Sequence, residues 1–491
     1  MSKLTIYHVM IIIALVYFLF PTNNSSLDSY AYAGYIKYGE NLFSPHHLLY
    51  NAFLYVLISP IKVFLQDVEI LLLAKYINTV FVLINLIIFY KILSKLDIDK
   101  NEKLLYVFMV AFSFSLLRFG TENETYIIPI AFSLYASLQF LNFIKTKNYT
   151  YIFISGLFAS IACLFHQIHF FWWFGLFVGT VLHQRRLKDV MLYSVSALIV
   201  PVSYILVLKF YQNQQISFVN LLNFVLHDFY TGSAQSELGW KNFFFILVSS
   251  FRTFFQLHPI NYLVIKKNIL FAIPIFSVLY LAYCIIKSFF KKELIVERRS
   301  KDIFFINTHF WILLFQFLFA FYAVGNVEFM VMIPFLLVIG ILTRYRINQR
   351  VLVLLPVVLF IWNFSYGIYP NNKYDYYNDK VLVNFIIDNP NELFVVKNDK
   401  VLNMFYYQTG KDNYKNIYLY NKLKSESSLY RLIDNKGFIF TDVIKKPTIF
   451  NRAKIISLDN SQLDFGNYVK EEIFTYKGLY GNSKVYKIKK K

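Results

Sequence analysis

Asp28 is the first side chain in a setting that allows chemistry. It opens SSLDSYAYAGYIKYGENLFSPHHLLYNAF, where tyrosines fall at Tyr30, Tyr32, Tyr35 and Tyr38. A helix with that pattern lies along a membrane surface, and a carboxylate at its start can take the proton of an attacking hydroxyl. The same residue can instead cap the helix, a position Asp favours. RFGTENETY sets Glu122 and Glu124 two apart, just before a helix starting near Tyr126. Close carboxylates bind a divalent cation or raise one another's pKa, and acidic residues there also complement a helix dipole. In FHQIHFFWW, His166, Gln167 and His169 join two apolar runs. A charged imidazole pairs with phosphate and a neutral one ligates metal, while His and Trp are also ordinary interface residues. A diffuse group, Lys241, Arg252, His258, Lys266 and Lys267, offers the positive charge that a departing phosphate requires, or a solvated loop face. Glu328, in GNVEFMVMIP, tops a later helix.

The elements holding these residues must be membrane helices. The 491 residues are 57% apolar, 20% aromatic and 16% charged, more oily surface than one soluble core buries. A net charge of +20 raises the question of nucleic acid, but the basic residues sit in short clusters between apolar runs rather than on one soluble face, so no nucleic-acid partner is expected. Cys163 and Cys284 lie in apolar runs with no metal-ligand spacing. Glycine-rich phosphate loops, GxSxG and HExxH motifs are absent.

Eleven runs are able to span: Leu4–Phe20, read as an uncleaved anchor, then runs near 70–90, 104–117, 126–143, 151–165, 170–182, 190–208, 269–286, 303–321, 329–342 and 351–366. A cytoplasmic N-terminus then puts Lys91 to Lys103, Lys145/Lys147, Arg185 to Lys188, Lys287 to Lys301 and Arg344 to Arg350 inside. The segment from His47 to Leu65, broken by Pro60, is kept in the outer interface or as a re-entrant helix, because a crossing there would invert this charge pattern. Phe243–Leu257 is treated likewise. The fold expected is an all-α polytopic membrane domain of residues 1–369 with juxtamembrane helices. It is followed by an extracytoplasmic α/β domain, 370–491. There NDKVLVNFIID, VLNMFYYQ and KSESSLYRLID read as helices, ELFVVK, NIYLYN, GFIFTDVI and AKIISL as strands, and EEIFTYKG with SKVYKIKK as a closing hairpin.

The order of these features resembles the GT-C superfamily of membrane glycosyltransferases, of the protein-mannosyltransferase and aminoarabinose-transferase kind. LDSYAYAGYIKYGENLFSPHHLLYNAF resembles that family's first outer loop, with Asp28 at the acidic position and Pro45, His46, His47 and Leu48 in the later segment. GLFASIACLFHQ resembles a family helix that ends in a basic residue facing the donor phosphate, with His166 in that place; NVEFMVMIPFLL resembles a late element in which Glu328 replaces an Arg. The resemblance implies inverting transfer of a hexosyl or pentosyl group from a polyprenyl-phosphate donor to a glycan, lipid or protein acceptor outside a cell membrane. It implies Asp28 as base, Glu124 or Glu122 as acidic partner, and Tyr35, His46, His47, His166, His169, Arg252, Lys266 and Lys267 toward substrate and phosphate. A divalent cation, if used, falls to Asp28 and Glu124. Rival readings are a transporter or flippase of lipid-linked sugars, which would place ionisable residues at pseudo-repeated mid-membrane positions, and an O-antigen polymerase or ligase.

Overall fold

The fold was analysed as a computed structural model, which describes residues 5–65, 67–230, 238–298, 301–412, 414–423, 426–445 and 468–491. Uninterrupted apolar sequence becomes helix: Ile70–Lys95 carries no glycine or proline and extends about 39 Å, enough to cross a bilayer with tilt. Among the described residues seven helical stretches are long and apolar enough to span: Ile70–Lys95, Ile127–Thr146, Leu187–Tyr211, Ile269–Phe290, Ile303–Tyr322, Val327–Arg344 and Gln349–Lys373. An eighth is a pair, Lys100–Ala111 and Phe114–Gly120, bent by 61°. Of the remaining expected spans, Ile6–Leu19 and Tyr149–Phe165 are shorter apolar helices, and 170–182 becomes the 15-residue helix Phe170–Gln184. Tyr50–Phe64, with Pro60 inside, is a further short apolar helix.

The chain divides into two compact units. The first comprises Met1–Pro21, Asn41–His258 and Ile269–Ile368. Its core runs through Phe89, Leu134, Phe140, Phe305 and Phe335, all fully buried. Ile127–Thr146 lies at the centre, packed by Ile70–Lys95 on one side and Tyr149–Phe165 on the other. Lipid tails give helices no hydrophobic reason to associate, so close approach and internal hydrogen bonds hold them together. Gly175 and Gly179 bring Phe170–Gln184 against Ile303–Tyr322, where a Cβ would meet Ile312 and Thr308. Ser137 takes a 2.9 Å hydrogen bond from Trp172 Nε1 and pairs at 2.9 Å with His309 Nε2, tying three helices together. In the same unit Ile295–Glu297 pairs antiparallel with Tyr345–Ile347, and Arg298 forms a salt bridge with Glu102.

The second unit comprises Thr22–Glu40, Pro259–Asn268 and Tyr369–Lys491. Its five-stranded sheet is ordered Ile417–Leu419, Phe394–Val396, Phe438–Thr441, Gly481–Lys490, Tyr468–Gly478, parallel among the first three and antiparallel after. The helix Glu426–Lys436 covers one face through Leu429 and Ile433, which pack on Val395, Ile439 and Ile488. On the other face Phe385, from the helix Asp379–Asp388, meets the rings of Phe394, Phe440 and Phe474 at 4.9–5.8 Å. Helices and strands thus fall where the alternation of apolar residues puts them; AKIISL, at 453–458, lies outside the described residues.

The helix Leu27–Tyr38 packs on Lys400–Thr409, about 370 residues later in the chain. Gly34 permits the contact, since a Cβ there would lie 2.6 Å from the Tyr406 ring. Lys37 Nζ donates to the Tyr407 carbonyl at 3.0 Å, and Asn403 to that of Leu27 at 3.0 Å.

Candidate functional site

In the first unit the turn 121–126 is built from the inside. Lys75 and Asn78 stand one turn apart on Ile70–Lys95. Asn78 Nδ2 donates to the Glu122 and Glu124 carbonyls at 2.7 and 2.9 Å, and the Tyr50 hydroxyl to Asn123 Oδ1 at 2.8 Å. The carboxylates that the sequence suggested as outer-loop ligands are therefore buried: Glu122 is 0% and Glu124 5% exposed. Glu122 Oε1 lies 3.9 Å from Lys75 Nζ and accepts from the Asn123 backbone at 3.0 Å. A buried carboxylate is tolerable because a cation offsets it.

Four histidines meet beside this turn. Backbone bonds from Gln167 N to His46 O (2.9 Å) and from Leu49 N to Leu164 O (3.1 Å) bind the 46–49 segment to the turn after Tyr149–Phe165. Gln167 Nε2 adds a bond to Pro45 O at 3.1 Å. The rings of His46 and His47 are 5.2 Å apart, and those of His47 and His166 are 6.4 Å apart. His169 is buried with Nδ1 2.7 Å from Ser133 Oγ. Burial, then the neighbouring His47, His169 and His46, hold His166 well below its ordinary value. Its Nδ1 takes the Ile168 N–H at 3.3 Å.

Tyr126 joins this group to Glu328. Its ring lies 5.0 Å from that of His166, and its hydroxyl donates to Glu328 Oε2 at 3.1 Å, which also accepts from Asn326 Nδ2 at 3.1 Å.

The short helix Val327–Met330 that carries Glu328 packs against Phe114–Gly120 and Trp240–Phe254, which bear Arg118 and Arg252. Asn363 fixes the arrangement. Its Nδ2 donates to Phe112 O at 2.8 Å and Phe254 O at 2.6 Å, and its Oδ1 accepts from Gln256 N at 2.8 Å. Among the described residues neither Arg118 nor Arg252 forms an ion pair, and Arg252 Nε is buried with no hydrogen-bond partner. His258, pushed down to about 4 by burial and then by the Arg252 and Arg118 charges, completes a basic cluster. Such a cluster suits a phosphate group. Arg118 was not singled out in the sequence, although a lone arginine in an outer turn otherwise poor in positive charge is a readable signal.

On the face of Trp240–Phe254 turned about 200° from Arg252, a cavity of about 310 Å³ is lined by Ser250, Phe254, Leu313, Phe317, Met330 and Ile333. Its apolar walls fit hydrocarbon rather than phosphate.

In the second unit Asp28 lies exposed in the first turn of Leu27–Tyr38. Ser26 is the cap, its hydroxyl accepting from Ser29 N at 3.0 Å, so Asp28 is spared that role. Burial, then the Asp28 charge, raise the Tyr35 hydroxyl above its ordinary pKa. Lys266 and Lys267 end the helix Ile260–Lys267 of this same unit, with Lys267 Nζ 4.1 Å over the Tyr374 ring. Among the described residues no group of three His, Cys, Asp or Glu side chains is placed to hold a metal ion.

No protein-family model matches the chain, and no curated protein matches its sequence. Among solved structures it is similar to the crystal structure of an Archaeoglobus fulgidus oligosaccharyltransferase in complex with zinc and sulfate, at 12% identity and a TM-score of 0.41, over 89% of this chain and 68% of that one. At that level the similarity establishes no equivalence between residues of the two.

Proposed function

We propose that this chain is an integral membrane glycosyltransferase that moves a sugar from a polyprenyl-phosphate donor to an acceptor at the extracytoplasmic face. The observation carrying the reading is the basic cluster of Arg118, Arg252 and His258, in which neither arginine forms an ion pair among the described residues and whose flanking backbone at Phe112, Phe254 and Gln256 is tied together by Asn363. Arg252 is half-buried with its Nε buried and without a hydrogen-bond partner; such a group is costly unless an acceptor arrives to satisfy it, and the leaving group of such a donor is a phosphate. The apolar cavity on the far side of the same helix suits an isoprenoid chain. In this reading Asp28 accepts the proton of the acceptor hydroxyl, Arg118 and Arg252 stabilise charge on the departing phosphate, and His258 gains a proton as the anion binds. Glu122 and Glu124 shape the 121–126 turn; Glu328, through Tyr126, orients His166.

The test is transfer of radiolabelled hexose or pentose from short-chain polyprenyl-phosphate sugars by the purified protein in liposomes. Asp28→Asn should abolish transfer with expression and insertion intact, and Arg252→Gln should raise the donor KM more than it lowers kcat. Full activity of Asp28→Asn removes that residue from the mechanism; donor reorientation across the bilayer with no transfer would identify a flippase instead.

A further inference from the structure

A second set of arginines gathers at the short hairpin of the first unit. Ile295–Glu297 and Tyr345–Ile347 pair antiparallel, and Arg298 N donates to Arg344 O at 2.6 Å, which adds one rung. Residues directly opposite on such a ribbon share a face, so Arg298 and Arg344 are cross-strand neighbours, an arrangement that like charges disfavour. Arg298 is held by a salt bridge to Glu102, and its side chain is only 9% exposed. Arg344 donates Nη2 to Asn307 Oδ1, lies 5.6 Å from the Phe310 ring and forms no ion pair among the described residues. Each keeps one buried donor without an acceptor, Arg298 Nη1 and Arg344 Nε. The groups that best satisfy guanidinium donors are the oxygens of a carboxylate or a phosphate.

Four candidate spans have an end here. Ile269–Phe290 and Val327–Arg344 run into the hairpin, and Ile303–Tyr322 and Gln349–Lys373 start just after its two strands, which puts it at headgroup depth. Phe290, Ile295 and Val296 are exposed, together with Lys291, Lys292, Arg346 and Arg350. Apolar side chains set among cations suit the boundary between hydrocarbon and anionic headgroups rather than a partner in water. The acids nearby do not cancel this charge: Glu102 is already paired, Glu293 and Glu297 are exposed, and Glu297 falls on the other face of the ribbon by its register with Tyr345. We propose that the hairpin is a binding site for an anionic phospholipid, with the headgroup phosphate held by Arg298 and Arg344.

The test uses the full-length protein in detergent, with dioctanoyl phosphatidylglycerol, dioctanoyl phosphatidylcholine or inorganic phosphate added. Native mass spectrometry reads the bound lipid and thermal unfolding its protection. Phosphatidylglycerol should bind in preference to phosphatidylcholine, with an affinity roughly 5-fold lower in Arg344→Gln. Arg298→Gln combined with Glu102→Gln removes the other arginine without stranding a buried charge and should lower the affinity similarly, which keeps the test open if Arg344→Gln fails to fold. Arg252→Gln, in the other basic cluster, should leave the preference intact. Equal binding of the two lipids, or a preference that survives both hairpin variants or disappears in Arg252→Gln, would overturn the proposal. Equal protection by inorganic phosphate, lost in Arg344→Gln, would overturn the lipid assignment and make the ligand a soluble phosphate.

Discussion

Replacing Asn363 by leucine tests whether one buried amide positions the basic cluster. The side chain is fully buried and makes three bonds to backbone groups at Phe112, Phe254 and Gln256, at 2.6–2.8 Å. Leucine keeps the branched heavy-atom shape, though bulkier, but leaves two carbonyls and one N–H unpaired. At about 1 kcal/mol for each bond the loss is about 3 kcal/mol; at the lower worth measured between membrane helices, about 0.6 each, it is about 2. Trp362, whose Nε1 donates to Gln256 O at 2.9 Å, provides a local fluorescence reporter. Unfolding in a fixed detergent should show Asn363→Leu destabilised by that amount. Pyrophosphate at a hundredfold excess over its Kd should stabilise the wild type by about 2.7 kcal/mol and the variant much less. Arg252→Gln should lose only the second effect. A variant within 0.5 kcal/mol of wild type, or one that is destabilised yet protected as fully by pyrophosphate, would refute the argument.

Three other outcomes follow from particular contacts. His258 is neutral in the folded protein down to about pH 4 but protonates below about 6.5 once unfolded, so stability present above pH 6.5 should decline as pH falls toward 4; a Tm-against-pH curve should flatten over that window in His258→Gln. Lys75→Met strands the buried Glu122 charge and should cost about 3–5 kcal/mol, most of it recovered in Lys75→Met with Glu122→Gln, read by thermal unfolding of single and double variants. Gly34→Ala pushes a methyl into the Tyr406 ring and should cost about 1–3 kcal/mol, relieved in part by Tyr406→Ala and measured by resistance of the C-terminal unit to protease.

Periodicity made the helices and the sheet legible, because apolar runs and alternating strands report local geometry directly. Asp379–Asp388, Lys400–Thr409 and the closing hairpin all fall where the pattern predicts. What the sequence hid was set at long range. The bend after Ala111 is held by Asn363, some 250 residues on, and no local signal announces it. Glu122 and Glu124 read as an outer-loop pair of carboxylates at a helix start, with no sign in the local sequence of the Lys75 and Asn78 side chains that lie against that turn. The joining of His47 to His166 depends on a backbone bond between turns about 120 residues apart. Arg118 was visible, but its meaning appeared only with Arg252 and His258 alongside.

The pairing of Leu27–Tyr38 with Lys400–Thr409 also sets an order of events during synthesis. At ordinary translation rates of about 5–20 residues per second, the early helix emerges roughly 20–70 s before its partner exists. Throughout that interval Tyr30, Ala33 and Ile36 lack the surface that finally covers them, and the bilayer interface is the nearest shelter for an amphipathic helix. Nascent chains stopped before residue 400 should therefore present this segment to chaperones and proteases, which makes completion of the C-terminus a checkpoint for survival of the whole polypeptide.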